Sequence, residues 1–327
     1  MKTIIVVLLC TATTLGQPRT PPVDTSFSAS SAAAEVTKKY PFARLAEARL
    51  PAGVSAQYDI VYAAHGNRTL HCDLFSPADS AAGPFPLVLI FHGGGWRSGN
   101  RTMEIPIAQQ LAARGFAAAT VEYRLSGEAR YPAGVFDLKE CIRWMRAHAE
   151  SLHVDPDRFA VMGFSAGGTL AALLGTTGGM PRFEGEGAYR SYSSRVQAVI
   201  DGDGIVDFRD PAESGKDTDP AKPSAGRLWF GATFAERPDL WADASPLLHV
   251  TPECPPIAFI NSAQERFHAG RDAMITELDR YGIYHEVHSL PETPHPFWLF
   301  QPWTESVIGY STGFLTTVFR PSQHITK

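Results

Sequence analysis

The stretch Arg158-Phe159-Ala160-Val161-Met162-Gly163-Phe164-Ser165-Ala166-Gly167-Gly168 decides how the rest of the chain is read. The apolar run through Met162 reads as a strand, the glycine-flanked serine as a tight turn, and Ser165 to Leu174 as the helix that follows. Flanking glycines let the backbone turn sharply enough to lift a serine above the end of a sheet, the context that makes G-x-S-x-G informative. A serine hydroxyl is a weak nucleophile alone. It needs a base within hydrogen-bond reach and gains from a helix N-terminus that favours negative charge. Ser165 is therefore the candidate nucleophile; the bland alternative is a glycine-rich turn with an idle serine.

On both sides of this turn, strands and helices alternate. Tyr58 to Tyr62 and Thr69 to Phe75 read as a hairpin around His65-Gly66-Asn67, and Pro86 to Phe91, Phe116 to Tyr123, Val196 to Ile200, Pro256 to Ile260 and Tyr284 to Leu290 read as further strands. Several are continuous apolar runs, as strands covered on both faces tend to be. Between them, Ile107 to Arg114 and Phe136 to Ala149 carry a helical period, as does a segment with Met274, Leu278 and Tyr281 on one stripe that stops at Gly282. This alternation predicts an α/β fold: a mostly parallel sheet of about eight strands with helices on both faces and the hairpin as its antiparallel edge. An excursion over 208–248, rich in proline and then in aromatic residues, interrupts the rhythm and is expected to form a lid or wall over the site.

The strand Pro86 to Phe91 runs into His92-Gly93-Gly94-Gly95-Trp96. Attack on an ester carbonyl creates an oxyanion, and donors already aimed at it are worth about 3 kcal/mol each. Glycines let backbone N–H groups crowd that oxygen, so the expected oxyanion hole is Gly94 and Gly95 with the amide of Ala166. A phosphate cradle would need a following Lys-Ser/Thr, which is missing here. The base belongs after the last strand, where His295 stands in Pro294-His295-Pro296-Phe297-Trp298. The acid that orients it is expected after Pro256 to Ile260; Glu265 is favoured, and Asp272 is the alternative. Trp96, Phe164 and Trp298 are expected to line the substrate pocket together with the excursion. Tyr123, Arg124 and Asp137 read as scaffold, and Arg266 and Arg271 as structural or as contacts for a sugar or a substrate carboxylate.

The 327 residues suffice for one catalytic domain over 52–327, and 44% hydrophobic content is ordinary for a globular chain. A net charge of −5 without charged blocks argues against nucleic acid or an anionic membrane surface as partner. Lys2, the apolar run Ile4 to Leu9 and the small-residue exit at Gly16 read as a signal peptide over 1–16, too short to span a bilayer, so the expected location is secreted or periplasmic. The stretch 17–51 reads as a linker or loosely packed arm. Once such a signal is removed, Cys72, Cys141 and Cys254 are an odd set expected to be buried free thiols. Asn67 and Asn100 begin glycosylation sequons, a short pattern that recurs by chance. No metal site or cofactor motif is present in the sequence, and none is expected.

Taken together, HGGGW, GFSAGG and the terminal histidine loop resemble the α/β-hydrolase serine esterases, from about residue 55 to 320. More narrowly, Asp155-Pro156-Asp157-Arg158 leading into Gly163-Phe164-Ser165 is similar to bacterial carbohydrate esterases of the acetyl-xylan, pectin and feruloyl type. The resemblance implies hydrolysis of acyl groups on plant polysaccharides, with a small ester as the alternative substrate. Phe164 stands where the hormone-sensitive-lipase-like branch carries Asp, and Asn261-Ser262-Ala263-Gln264-Glu265 stands where the family pattern reads His-Gly, two residues, then Asp. Two rivals are a prolyl-oligopeptidase-like peptidase, whose propeller has no counterpart in this sequence, and a non-catalytic protein on the same fold.

Overall fold

In the computed structural model, which describes residues 24–217, 219 and 221–320, the apolar runs form one eight-stranded sheet. Its strands are β1 (Val54–His65), β2 (Arg68–Pro77), β3 (Phe85–Phe91), β4 (Ala117–Val121), β5 (Val154–Phe164), β6 (Ala198–Gly202), β7 (Ile257–Asn261) and β8 (His285–Ser289). Across the sheet they run β1-β2-β4-β3-β5-β6-β7-β8. Only β1 with β2 and β2 with β4 pair antiparallel; all other neighbours are parallel. The expected hairpin turns at Gly66 and Asn67, between the paired His65 and Arg68. The chain has the α/β-hydrolase fold.

Among the described residues, six longer helices flank the sheet: α1 (Ala29–Lys39), α2 (Ile105–Ala112), α3 (Ala133–Ala147), α4 (Ala166–Thr176), α5 (Arg271–Arg280) and α6 (Trp303–Val318). Along β3, Leu87, Leu89 and Phe91 join one apolar layer with Leu138 and Ile142 of α3, Leu170 of α4 and Met274 of α5. The alternate residues Val88 and Ile90 join the other, with Ile107 of α2 and Phe314 and Leu315 of α6. A strand that feeds two cores has no polar face, which is why β3 reads as an unbroken apolar run.

The structure departs from expectation in three segments. The arm contains α1, whose N-cap Ser28 accepts from the Ser31 amide while Ser31 Oγ accepts from the Ser28 amide, and which buries Ala32 and Val36. The reciprocal cap and a narrow two-residue stripe suffice to dock a helix that its alanine-rich sequence hardly announces. Helix α6, in a region without an expected element, covers the sheet with Val307, Ile308, Phe314 and Leu315. The 208–248 excursion folds into short helices, Pro211–Ser214, Ala225–Phe230 and Pro238–Asp243, too brief to leave a periodic pattern. They are held by interlocked rings: Phe230 lies 5.0 Å from Trp229 and 4.7 Å from Trp241. Cys72, Cys141 and Cys254 are buried and unbonded. The candidate signal segment lies outside the described residues.

Candidate active site

Parallel pairing brings the carboxyl ends of the strands to one edge: Phe91 is in register with Gly163, Phe164 with Gly202, and Asn261 with Ser289. The loops after β3, β5, β6, β7 and β8 therefore open at the same rim, where ligands bind in open α/β sheets. Ser165 sits there with φ 55° and ψ −121°, a backbone conformation that costs an L-residue energy and survives only where its surroundings enforce it. The flanking glycines are enforced too. A Cβ on Gly163 would overlap the Gly167 carbonyl, and one on Gly167 would overlap the Phe91 carbonyl. The Ser165 amide donates to Gly202 O at 2.7 Å, tying the turn to β6.

The loop after β8 brings His295 to this serine. Its Nε2 lies 2.8 Å from Ser165 Oγ, and its Nδ1 lies 2.8 Å from Asp203 Oδ2. A carboxylate only accepts, so Nδ1 carries the proton, and Nε2 is left to accept from the serine hydroxyl.

The carboxylate that meets the imidazole is not the expected one. Glu265 lies in an exposed 3-10 turn, Glu265–His268, and Asp272 pairs with Arg271 with 82% of its side chain exposed. Asp203 takes their place because β6 lies next to β5: the residue after Gly202 emerges one strand away from the nucleophile. It is fully buried, and its Oδ1 accepts from the Ser262 amide at 2.8 Å and from Asn261 Nδ2 at 3.4 Å. Asn261 is oriented in turn by Arg271, whose Nη1 donates to Asn261 Oδ1 at 2.9 Å. Arg271 thus serves the scaffold. The departure from the family pattern at 261–265 has a physical sense: Asn261 and Ser262 hold Asp203 from behind, and the stretch supplies no carboxylate to the imidazole. The sequence signal that would have found Asp203 is Asp201-Gly202-Asp203-Gly204, an acidic residue between glycines at the end of a strand. Asp201 itself is buried, its Oδ1 accepting from Gly204 N at 2.7 Å, and burial holds its carboxyl well above the usual range.

The glycine loop stands against Ser165, for a Cβ on Gly93 would lie 3.3 Å from Ser165 Cβ. Gly94 O is occupied by Arg97 N, Ser98 N and Ser98 Oγ, and positive φ values of 121° and 59° at Gly94 and Gly95 require residues without side chains. The first turn of α4 leaves the Ala166 amide without an intrahelical acceptor. His92 props this loop as a neutral ring: its Nδ1 donates to Gly93 O at 2.8 Å, and burial lowers it to about 4. Tyr123 stacks on His92 at 4.5 Å and donates to its carbonyl, and Arg124 forks onto Asp137, so these three residues are scaffold.

The expected pocket residues are more deeply seated than a lining requires. Phe164 and Trp298 stack on each other at 5.0 Å and are 0% and 1% exposed. Trp298 Nε1 donates to Glu104, a buried carboxyl that desolvation raises to about 8. Trp96 is 4% exposed and stacks on Trp229 at 4.5 Å, joining the glycine loop to the excursion. These aromatics form the floor beneath the site, because their rings find apolar partners below the sheet edge.

Burial lowers the His295 imidazole, an effect opposed by the Asp203 carboxylate. Arg266 Nε pairs with Glu213 Oε1 at 2.7 Å, and burial of Glu213 raises its carboxyl to about 7. A groove of about 620 Å³ passes His295 between α1 and the β8 loop, with Phe27, Glu35, Lys39, Tyr40 and Gln264 along it. Among the described residues, no cluster of three or more His, Cys, Asp or Glu could hold a metal, and no helix is long and apolar enough to cross a membrane.

Known proteins resemble this chain to different extents. The esterase LipC of Mycobacterium tuberculosis is 31% identical over 196 residues, 59% of this chain and 47% of its own length. The probable carboxylic ester hydrolase LipM of the same organism is 27% identical over 72% of this chain and 52% of its own. The match thus spans about half the length of these curated relatives. Among solved structures, a truncated carbohydrate esterase from gut microbiota superposes with a TM-score of 0.69 at 25% identity, covering 80% of this chain and 96% of that one. The propionate-bound esterase 2 of Thermogutta terrifontis, at 24% identity and a TM-score of 0.66, shares the fold over 82% of this chain and 95% of that one. The BD-FAE family profile matches residues 72–268, a span running from β2 through the glycine loop, the nucleophile turn and Asp203, and the chain belongs to that family.

Proposed function

We propose that the chain hydrolyses carboxylic esters by two-step acyl transfer, with Ser165 as nucleophile, His295 as general base and Asp203 as the acid that orients it. One observation carries this reading: the unbroken line from Ser165 Oγ through the imidazole to Asp203 Oδ2, with both contacts at 2.8 Å. Ser165 Oγ attacks the ester carbonyl and passes its proton to His295 Nε2, while Asp203 stabilises the imidazolium that forms. The amides of Gly94, Gly95 and Ala166 hold the oxyanion. The imidazolium then protonates the departing alcohol, and water repeats the attack on the acyl-enzyme with His295 again as base.

The substrate class we propose is an acylated plant cell-wall polysaccharide carrying acetyl or feruloyl groups. It is supported by the likeness to a carbohydrate esterase and by the groove beside His295, which has room for the alcohol portion of a large ester. A general small-ester carboxylesterase is the second reading, favoured by the esterases among the curated relatives. Export from the cytoplasm, supported by Lys2 and the apolar run that follows it, belongs to the same proposal.

The test is release of acetate and ferulate from acetylated xylan, pectin and feruloylated arabinoxylan by the wild type beside Ser165→Ala. Serine-dependent release of one acid supports both chemistry and substrate class. Turnover confined to simple aryl esters removes the polysaccharide, and activity surviving intact in Ser165→Ala removes the mechanism.

A further inference from the structure

The loop after β7 does not supply the acid, yet it returns to the site at Phe267. The rings of Phe267 and His295 lie face to face, 3.4 Å between centroids and 6° between planes. Trp298 meets the same imidazole edge-on at 5.4 Å and 80°. Since His295 covers one face of the phenyl ring, the opposite face is left for Arg266, whose Cζ lies 4.7 Å from the ring centroid. Arg266 is anchored in turn by both carboxylate oxygens of Glu213, at 2.7 and 3.3 Å, on the helix Pro211–Ser214 of the excursion.

An unoffset stack of two neutral rings places π-cloud on π-cloud and is disfavoured relative to offset or edge-on packing. The same geometry is favourable when one ring is a cation, because the negative face of the phenyl then attracts it. His295 becomes such a cation while it holds the serine proton. We propose that Phe267 is a positioning residue that clamps the His295 ring and stabilises its protonated form, with the Glu213–Arg266 pair holding the clamp in place. This rests on the ester-hydrolysis reading for its consequence in turnover, though the stack itself does not.

The charged groups around the imidazole bear on the sign. Asp203 favours the cation from the β6 loop, Arg266 opposes it from behind the phenyl ring, and Glu213 offsets Arg266. Glu35 and Lys39 of α1 face His295 across the groove with opposite charges. Leucine at 267 would keep the cover over the ring and remove only the π face.

The experiment is a pH titration of the His295 ring by NMR in the full chain, as wild type, Phe267→Leu and Phe267→Tyr. Phe267→Leu is expected to lower the His295 midpoint by about half a pH unit, the equivalent of an exposed to half-buried cation–π contact. Phe267→Tyr retains the wild-type midpoint. The acidic limb of kcat/KM should move down with the titration, and kcat should fall severalfold with KM little changed. An unmoved midpoint in Phe267→Leu, or an equal shift in Phe267→Tyr, overturns the proposal. Should Phe267→Leu fail to fold, Phe267→Met serves: the cover over the ring stays, the π face goes, the midpoint falls as for leucine, and an unmoved midpoint overturns the proposal. The expected NMR shift without any Ser165-dependent turnover would leave the stack standing and sink the ester reading instead.

Discussion

Replacing Asp203 by asparagine removes one charge at constant shape and tests the reassigned acid. The buried carboxylate touches His295 Nδ1 at 2.8 Å, which puts the centres of charge about 4 Å apart once the imidazole is protonated. At an effective dielectric near 20 that attraction is about 4 kcal/mol, equivalent to about a thousandfold in rate. Asparagine adds a second penalty through the proton. The Ser262 amide and Asn261 Nδ2 both donate toward this side chain, so the substituted amide turns its carbonyl to them and its NH2 to His295 Nδ1. Nδ1 must then accept, the proton moves to Nε2, and Nε2 no longer accepts from Ser165 Oγ. The expected loss in kcat for an aryl acetate is about 10³- to 10⁴-fold. Glu265→Gln and Asp272→Asn, both on exposed carboxylates, are expected to stay within about threefold of wild type. Far-UV circular dichroism and melting curves verify that each variant is folded. A folded Asp203→Asn protein within tenfold of wild type, with Glu265→Gln strongly impaired, would refute the assignment.

Two further outcomes follow from buried groups. Glu104, raised to about 8 by burial, is protonated in the folded state but ionised in the unfolded chain near neutral pH, so its contribution to stability is full below about 4.5 and is lost as pH rises through 8. Glu104→Gln lacks this dependence, and its stability relative to wild type should rise by about 1.4 kcal/mol between pH 7 and pH 9; parallel denaturation midpoints across that range would contradict the buried acid. At the nucleophile turn, Gly167→Ala drives a Cβ into the Phe91 carbonyl, so soluble yield or melting temperature should fall and activity with it. Native stability together with wild-type kcat would show that the turn is looser than described.

The sequence by itself determined the sheet and the positions of the candidate nucleophile and base, because each rests on local pattern. An apolar run needs no partner to be recognised as a doubly covered strand, as β3 and β5 show. Gly163 and Gly167 declare the turn at Ser165, since a side chain there has nowhere to go. His295 follows from its place after the last strand. The acid could not be read that way: Asp203, Glu265 and Asp272 all follow apolar strands, and which of them meets the imidazole depends on the lateral order of β5, β6 and β7 and on the donors behind the carboxylate. The same holds for Trp96, Phe164 and Trp298, whose residue types suit a pocket lining or a core equally well, until the rings of the excursion and of α6's layer bury them. The stack of Phe267 on His295 joins residues from two loops and leaves no periodicity at all. Short-range sterics and hydrophobic period write themselves into neighbouring residues, whereas the choice among chemically equivalent side chains is made by which distant strands pack side by side.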